Sequence, residues 1–198
     1  AGFEQEINKL VLKKKKLISK KNVIVFYGSS SFRLWENLDQ DFKSYNVLNF
    51  GFGGAFIEDC IRYFDQLFTN INPVAIVLYV GGNDLSLKYS NEKINALFKK
   101  LLIKIKSQSP NTKIICVSIK PSYHRIKKFE RIKELNTLMK EELMKSTKNS
   151  YVDIFNLFLN KDKKIIRSFF VKDNLHLSKK GYEVWKKEIL KVLKKSKF

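Results

Sequence analysis

The sequence predicts an α/β fold, a three-layer α/β/α sandwich built on a five-stranded parallel sheet. Five short apolar runs rich in β-branched residues punctuate the chain, and amphipathic helical patterns separate them. Four of the five runs are near-continuous rather than alternating, as strands covered by helices on both faces require.

An amphipathic helix over about 3–17 precedes the first run, "NVIVFY" (22–27). The others are "YNVLNF" (45–50), "VAIVLYV" (74–80), "KIICVSI" (113–119) and "YVDIF" (151–155). Ile57, Cys60, Ile61, Phe64, Leu67 and Phe68 recur at helical spacing and make one apolar stripe. Ile94, Leu97, Phe98, Leu101 and Ile105 make a second, and a third runs from about Lys128 to Lys145 through Ile132, Leu135 and Met139. The last helix carries Tyr182, Trp185, Ile189, Val192 and Leu193, with Ser178 placed as its N-cap. Strand–helix alternation in this order implies right-handed crossovers and a flavodoxin-like arrangement. No internal repeat or linker divides the chain, so a single domain over 1–198 is expected, with residues 1–20 as a helix packing on it.

The net charge of +20 raises the question of nucleic acid. The lysines, however, are spread along the chain and far outnumber arginine, the residue suited to bidentate phosphate and base contacts. A solvated basic surface with no specific nucleic-acid partner is the expectation. No apolar run is long enough to span a membrane and no signal peptide is visible. The opening "AGFEQ" lacks Met, which hints at a removed N-terminal segment and leaves the compartment open. Cys60 and Cys116 lie in apolar patterns and read as buried free thiols.

In parallel sheets of this kind ligands bind beyond the carboxyl ends of the strands. The loops at those ends read "GSSS" (28–31), "GFGGA" (51–55), "GGND" (81–84), "KPSYHR" (120–125) and "DNLHLS" (173–178). Each alone is an ordinary turn. Nucleotide readings fail on spacing: a G-x-G-x-x-G started at Gly51 meets Phe56 where it needs glycine, and no strand end carries Gly-Lys-Ser/Thr. A phosphate cradle at 28–31 leaves "GGND" and "DNLH" without a purpose. The nucleophile elbow G-x-S-x-G is also unmet, because Phe32 stands at its last position.

Taken together, "YGSSSF", "NFGFGGA", "GGND" and "DNLH" resemble the four ordered blocks of the SGNH hydrolases, or GDSL-type esterases and lipases, over about residues 22–195. The segment "GSSSFRLW" (28–35) is similar to a bacterial branch whose first block reads GSSS-x-R-x-W. The resemblance implies a flavodoxin-like fold and a serine nucleophile at Ser30, with Asp173 and His176 as acid and base. It implies an oxyanion hole from Ser30, Gly54 and Asn83. Ser29 and Ser31 depart from the Asp and Leu of the usual motif, and Ala55 stands where relatives often carry Ser or Asp.

The residue types suit acyl transfer. A serine hydroxyl needs a base to take its proton, and an aspartate three residues before His176 can reach Nδ1 through one turn. Ser29, Arg33, Lys120 and His124 are candidates to line the substrate site. No cofactor and no metal is implied. The expected activity is that of a metal-independent serine esterase, cleaving short-acyl esters of a carbohydrate or lipid through an acyl-serine. A non-catalytic SGNH-like domain that binds glycans or lipids is the alternative.

Overall fold

The computed structural model describes residues 2–17 and 19–198. Its sheet has five parallel strands in the order β2-β1-β3-β4-β5. They are β1 (Val23–Gly28), β2 (Asn46–Gly51), β3 (Ala75–Tyr79), β4 (Lys113–Val117) and β5 (Ser150–Val152). The helices are α1 (Glu4–Lys14), α2 (Ser30–Arg33), α3 (Leu38–Asp41), α4 (Ile57–Phe68), α5 (Asn91–Gln108), α6 (Phe129–Leu143) and α7 (Lys179–Ser196). Three layers on a parallel sheet are the architecture that the near-continuous apolar runs require. No helix among the described residues is long and apolar enough to cross a membrane.

Alternate residues of β1 feed two cores. Val23, Val25 and Tyr27 of β1 face the layer made by α1, α4, α5 and α6. Ile24 and Phe26 face α2, α3 and α7, where Phe32, Trp35, Phe42 and Trp185 form an aromatic cluster. Trp185, Ile189 and Leu193 of α7 are fully buried there, so its apolar stripe covers the sheet. Cys60 and Cys116 are buried free thiols, one in each of α4 and β4.

The helix after β1 stops at Arg33, and Trp35 just beyond it pins α3, its indole N–H donating to Asp41 Oδ2 at 2.8 Å. One element differs from the sequence expectation: the fifth strand keeps only three residues, because side chains take over its ladder. The Ile154 N–H donates to Ser118 Oγ at 2.9 Å and the Phe155 N–H to Asp153 Oδ1 at 3.1 Å.

The strand order reverses between β1 and β3, which leave the sheet with their carboxyl ends side by side. Gly28 pairs with Gly51 on one flank and Tyr79 on the other. Its φ of +147° is open to glycine, and a Cβ there would lie 2.1 Å from the Tyr79 carbonyl oxygen. This close approach delivers the serine turn to the mouth of the sheet.

Candidate active site

Ser29 is the N-cap of α2 and Ser30 its first residue, so the Ser30 N–H has no acceptor within the helix. The turn is held by main chain: Ser29 N–H donates to Tyr79 O at 3.3 Å, and Ser29 O accepts from Phe32 and Arg33. Tyr182 of α7 donates from its hydroxyl to Ser31 O at 2.7 Å. Ser30 and Ser31 are both buried, and they face different partners.

Ser30 Oγ lies 3.0 Å from His176 Nε2, and His176 Nδ1 lies 2.5 Å from Asp173 Oδ2. The loop that carries both residues is closed at its base. Val171 N–H donates to His176 O at 2.9 Å, and Phe170 and Leu177 form an antiparallel bridge. Asn174 takes the left-handed turn at φ +57°, a conformation asparagine tolerates. Asp173 Oδ1 accepts from the N–H groups of Leu175 and His176, both at 2.9 Å. One carboxylate oxygen thus holds the turn and the other meets the imidazole. Burial pushes the Asp173 carboxyl up, but its bonds to His176 and Leu175 outweigh that and hold it at about 2. It stays ionised across the neutral range and presents an acceptor to Nδ1 of the ring.

The loops after β2 and β3 are locked together by consecutive side chains. Asn83 Nδ2 donates to Ala55 O at 3.0 Å, and both Asp84 carboxylate oxygens accept from Ile57 N–H at 3.2 and 3.3 Å. Asp84 is fully buried, and desolvation raises its carboxyl to about 6. Immediately before these ties runs the glycine turn, with Gly54 at φ +68°. A Cβ at Gly54 would meet nothing within 4 Å, so its backbone conformation, not crowding, is what calls for glycine. From the other side, Glu6 of α1 accepts from the Gly53 N–H at 3.0 Å.

Ser29, Ser30, Ser31, Asn83, Lys120 and His176 line one narrow cleft, together with Tyr79, Gly82, Arg125 and Leu175. Lys120 is 2% exposed, and its Nζ donates to Ser31 Oγ and to the Tyr79 hydroxyl, both at 3.1 Å. Burial lowers its ammonium to about 7, with the Arg125 charge adding to the effect and Asp173 opposing it. Two of the predicted lining residues lie elsewhere. Arg33 is exposed and its guanidinium lies across Gly53. His124 is also exposed, and its main-chain N–H donates to Asn174 O at 3.2 Å. Gly54 is outside the lining of the narrow cleft.

Arg125 is the residue that sequence reasoning passed over. Its Nη2 donates to Asn83 Oδ1 at 3.1 Å. Its only sequence signal is its place at the end of "KPSYHR", on a strand-end loop. A second, larger groove of about 510 Å³ also borders His176, lined by Leu34, Trp35, Glu36, Val171, Tyr182 and Glu183 among others. A hydroxyl, an imidazole and an ionised carboxylate in line, beside a cleft and a groove, form an arrangement able to move a proton between a serine and a leaving group.

Comparison with solved structures places the same architecture in known hydrolases. A GDSL-like lipase from Bacteroides thetaiotaomicron is 20% identical with a TM-score of 0.77, covering 98% of this chain and 96% of its own. The lipase/acylhydrolase from Enterococcus faecalis is 21% identical with a TM-score of 0.72, covering 88% and 96%. The acetyl xylan esterase AlAXEase is 19% identical with a TM-score of 0.71, covering 86% and 98%. Comparison with curated protein sequences gives no match. The model of the GDSL-like lipase/acylhydrolase family matches residues 24–184, which takes in all the strand-end loops, and the chain belongs to that family of hydrolases.

Proposed function

We propose that the protein hydrolyses carboxylic esters by way of an acyl-Ser30 intermediate. The observation that carries this reading is the continuous line Ser30 Oγ–His176 Nε2–His176 Nδ1–Asp173 Oδ2, with separations of 3.0 and 2.5 Å. Ser30 Oγ attacks the ester carbonyl carbon while its proton passes to His176 Nε2. Asp173 stabilises the imidazolium as it forms. The tetrahedral oxyanion is received by the N–H groups of Ser30 and Gly54 and by Asn83 Nδ2. Collapse expels the alcohol, which takes the proton from Nε2. Water then attacks the acyl-serine, giving up a proton to His176, and the carboxylic acid leaves with Ser30 restored.

The unequal spaces that border His176 support a small acyl group and a larger alcohol. The cleft at Ser30 and Asn83 holds about 10 Å³, room for roughly one water. The groove beyond His176 is of ordinary ligand size. The leaving alcohol must reach Nε2, so that groove suits it. Acetyl or another short acyl group on a carbohydrate or lipid is the substrate class we propose, and an acetyl xylan esterase among the fold neighbours is consistent with it. The test is turnover of p-nitrophenyl esters of increasing chain length by wild type and Ser30→Ala, with fluorophosphonate labelling of wild type. Acetate esters should be cleaved fastest and Ser30 alone should carry the label. No turnover and no adduct on Ser30 would overturn the proposal, leaving the non-catalytic binding domain.

A further inference from the structure

We infer that Arg125 is a positioning residue for the oxyanion hole, acting through the Asn83 carboxamide. The inference rests on the proposed function of Asn83 as an oxyanion donor. Asn83 meets a different kind of partner at each end of its amide. Arg125 Nη2, which can only donate, contacts Oδ1 at 3.1 Å; the Ala55 carbonyl, which can only accept, contacts Nδ2 at 3.0 Å. A half-turn of the amide would set N–H against N–H and oxygen against oxygen. Only the observed orientation satisfies both, and it leaves the second N–H of Nδ2 for the cleft that Asn83 shares with Ser30 and His176. In the turned amide the carbonyl oxygen would take that place and repel a developing oxyanion.

A second observation points the same way. Of the two glycines in "GGND", Gly81 has φ +101° and needs to be glycine. Gly82 does not: its φ of −62° and ψ of −45° suit any residue. A Cβ at Gly82, however, would lie 3.1 Å from Arg125 Nη1. The missing side chain gives the guanidinium its seat against the backbone that leads into Asn83. The loop that carries Arg125 is fixed in turn. Arg125 N–H donates to Ser122 O at 3.1 Å, and His124 N–H donates to Asn174 O in the loop of the acid and base. Among the described residues no carboxylate lines the cleft, so none there neutralises the guanidinium charge. A charged donor on Oδ1 also polarises the amide and strengthens its N–H as a donor.

The test is a mutant cycle on p-nitrophenyl acetate, with Asn83→Ala, Arg125→Met, Arg125→Lys, Gly82→Ala and the double variant N83A/R125M. Removing the donor itself should lower kcat by about 10²- to 10³-fold. Arg125→Met should lower kcat by about 10- to 100-fold with KM little changed, the scale of a lost charged hydrogen bond. In the Asn83→Ala background the same change should cost less than about threefold, because the two residues act as one unit. Arg125→Lys keeps charge without the planar fork and should recover only part of the loss. Gly82→Ala should slow wild type but not R125M. Additive losses in the double variant, or a rise in KM at unchanged kcat, would overturn the inference. A readout independent of turnover is the pair of side-chain amide proton resonances of Asn83. They should shift and exchange faster in R125M and R125K, and unchanged resonances would refute the contact. If wild type cleaves no ester while these resonances respond as expected, the esterase reading fails and the hold of Arg125 on Asn83 stands.

Discussion

Lys120 offers the most quantitative test of how the site is built. It is a buried ammonium that donates only to neutral hydroxyls, those of Ser31 and Tyr79. Its ring neighbours, Tyr79 at 4.9 Å and Trp185 at 5.9 Å, soften the desolvation without cancelling it. Its ammonium falls from 10.5 to about 7. At about 1.4 kcal/mol per pH unit, charging it in the folded state costs roughly 5 kcal/mol. The folded-state value lies below the unfolded one, so between about pH 7 and 10.5 the unfolded chain binds more protons. Stability therefore rises with pH through that window, and the cost is present in full below it.

Lys120→Met keeps the length and apolar stem and removes the charge. It leaves two hydroxyls without a donor, at about 1 kcal/mol each. The variant should be more stable than wild type by roughly 2 kcal/mol at pH 7. Its advantage should shrink by about 2 kcal/mol between pH 7 and pH 9 as wild-type Lys120 loses its proton. Urea unfolding of both proteins at pH 7, 8 and 9 measures this, and groups that titrate in both cancel in the difference. The variant should also turn over ester more slowly, since the serine turn loses its tie to β4. A stability difference that stays constant with pH, or a wild type more stable at pH 7, would refute the reasoning.

Asp173→Asn should keep the turn, because its remaining oxygen can still accept from Leu175 and His176, yet lower kcat by about 10³- to 10⁴-fold by losing the ionised partner of Nδ1; steady-state kinetics beside a melting curve separates the two effects. Ser31→Ala removes an acceptor of Lys120 but leaves the Ser30–His176 contact, so turnover should fall less than about tenfold where Ser30→Ala abolishes it. Gly28→Ala should be strongly destabilising, by about 3 kcal/mol or more, because its Cβ would meet the Tyr79 carbonyl oxygen at 2.1 Å. A Tm within a degree or two of wild type would contradict that.

The strands and long helices were legible because each is specified locally. An apolar run such as Ile114–Val117 is buried wherever it lies, and the stripe from Ile57 to Phe68 fits one helical face. The contact between Asp173 and His176 was legible for the same reason, the two being three residues apart in one turn. Arg125 was not, because its partner belongs to the loop after another strand and no pattern of spacing encodes that reach. Gly82 misleads in the opposite sense. It reads as a turn glycine, whereas the space it leaves is filled by a guanidinium from the next loop. Arg33 and His124 do not line the narrow cleft, because proximity in sequence to a site residue does not set the direction of a side chain.

The site is held by ties between neighbouring strand-end loops more than by any loop's own rigidity. Ser29 N–H bonds to Tyr79 at the end of β3, and Phe52 N–H to Gly28 at the end of β1. Asn83 and Asp84 grip the segment that follows Gly54, at Ala55 and Ile57, while Tyr182 reaches across from α7 to Ser31. The ties between strand-end loops join groups whose separation is set by strand register, and in a parallel sheet a slip of one residue would break them together. The glycines at 28 and 51, paired in register, allow the tight approach on which that register depends, since a Cβ at Gly51 would lie 2.4 Å from the Arg33 nitrogen. Asp84 shows what this arrangement costs. Buried at the start of α4 with its carboxyl raised to about 6, it is less favourable when ionised in the folded state than in water, so its own contribution to stability declines as pH rises from about 4 to 6. A hydrophobic residue there would relieve that cost but would leave the Ile57 N–H unpaired and release one side of the Gly54 turn. The buried carboxylate thus trades stability for a fixed position of the segment after Gly54, on which the proposed oxyanion hole depends.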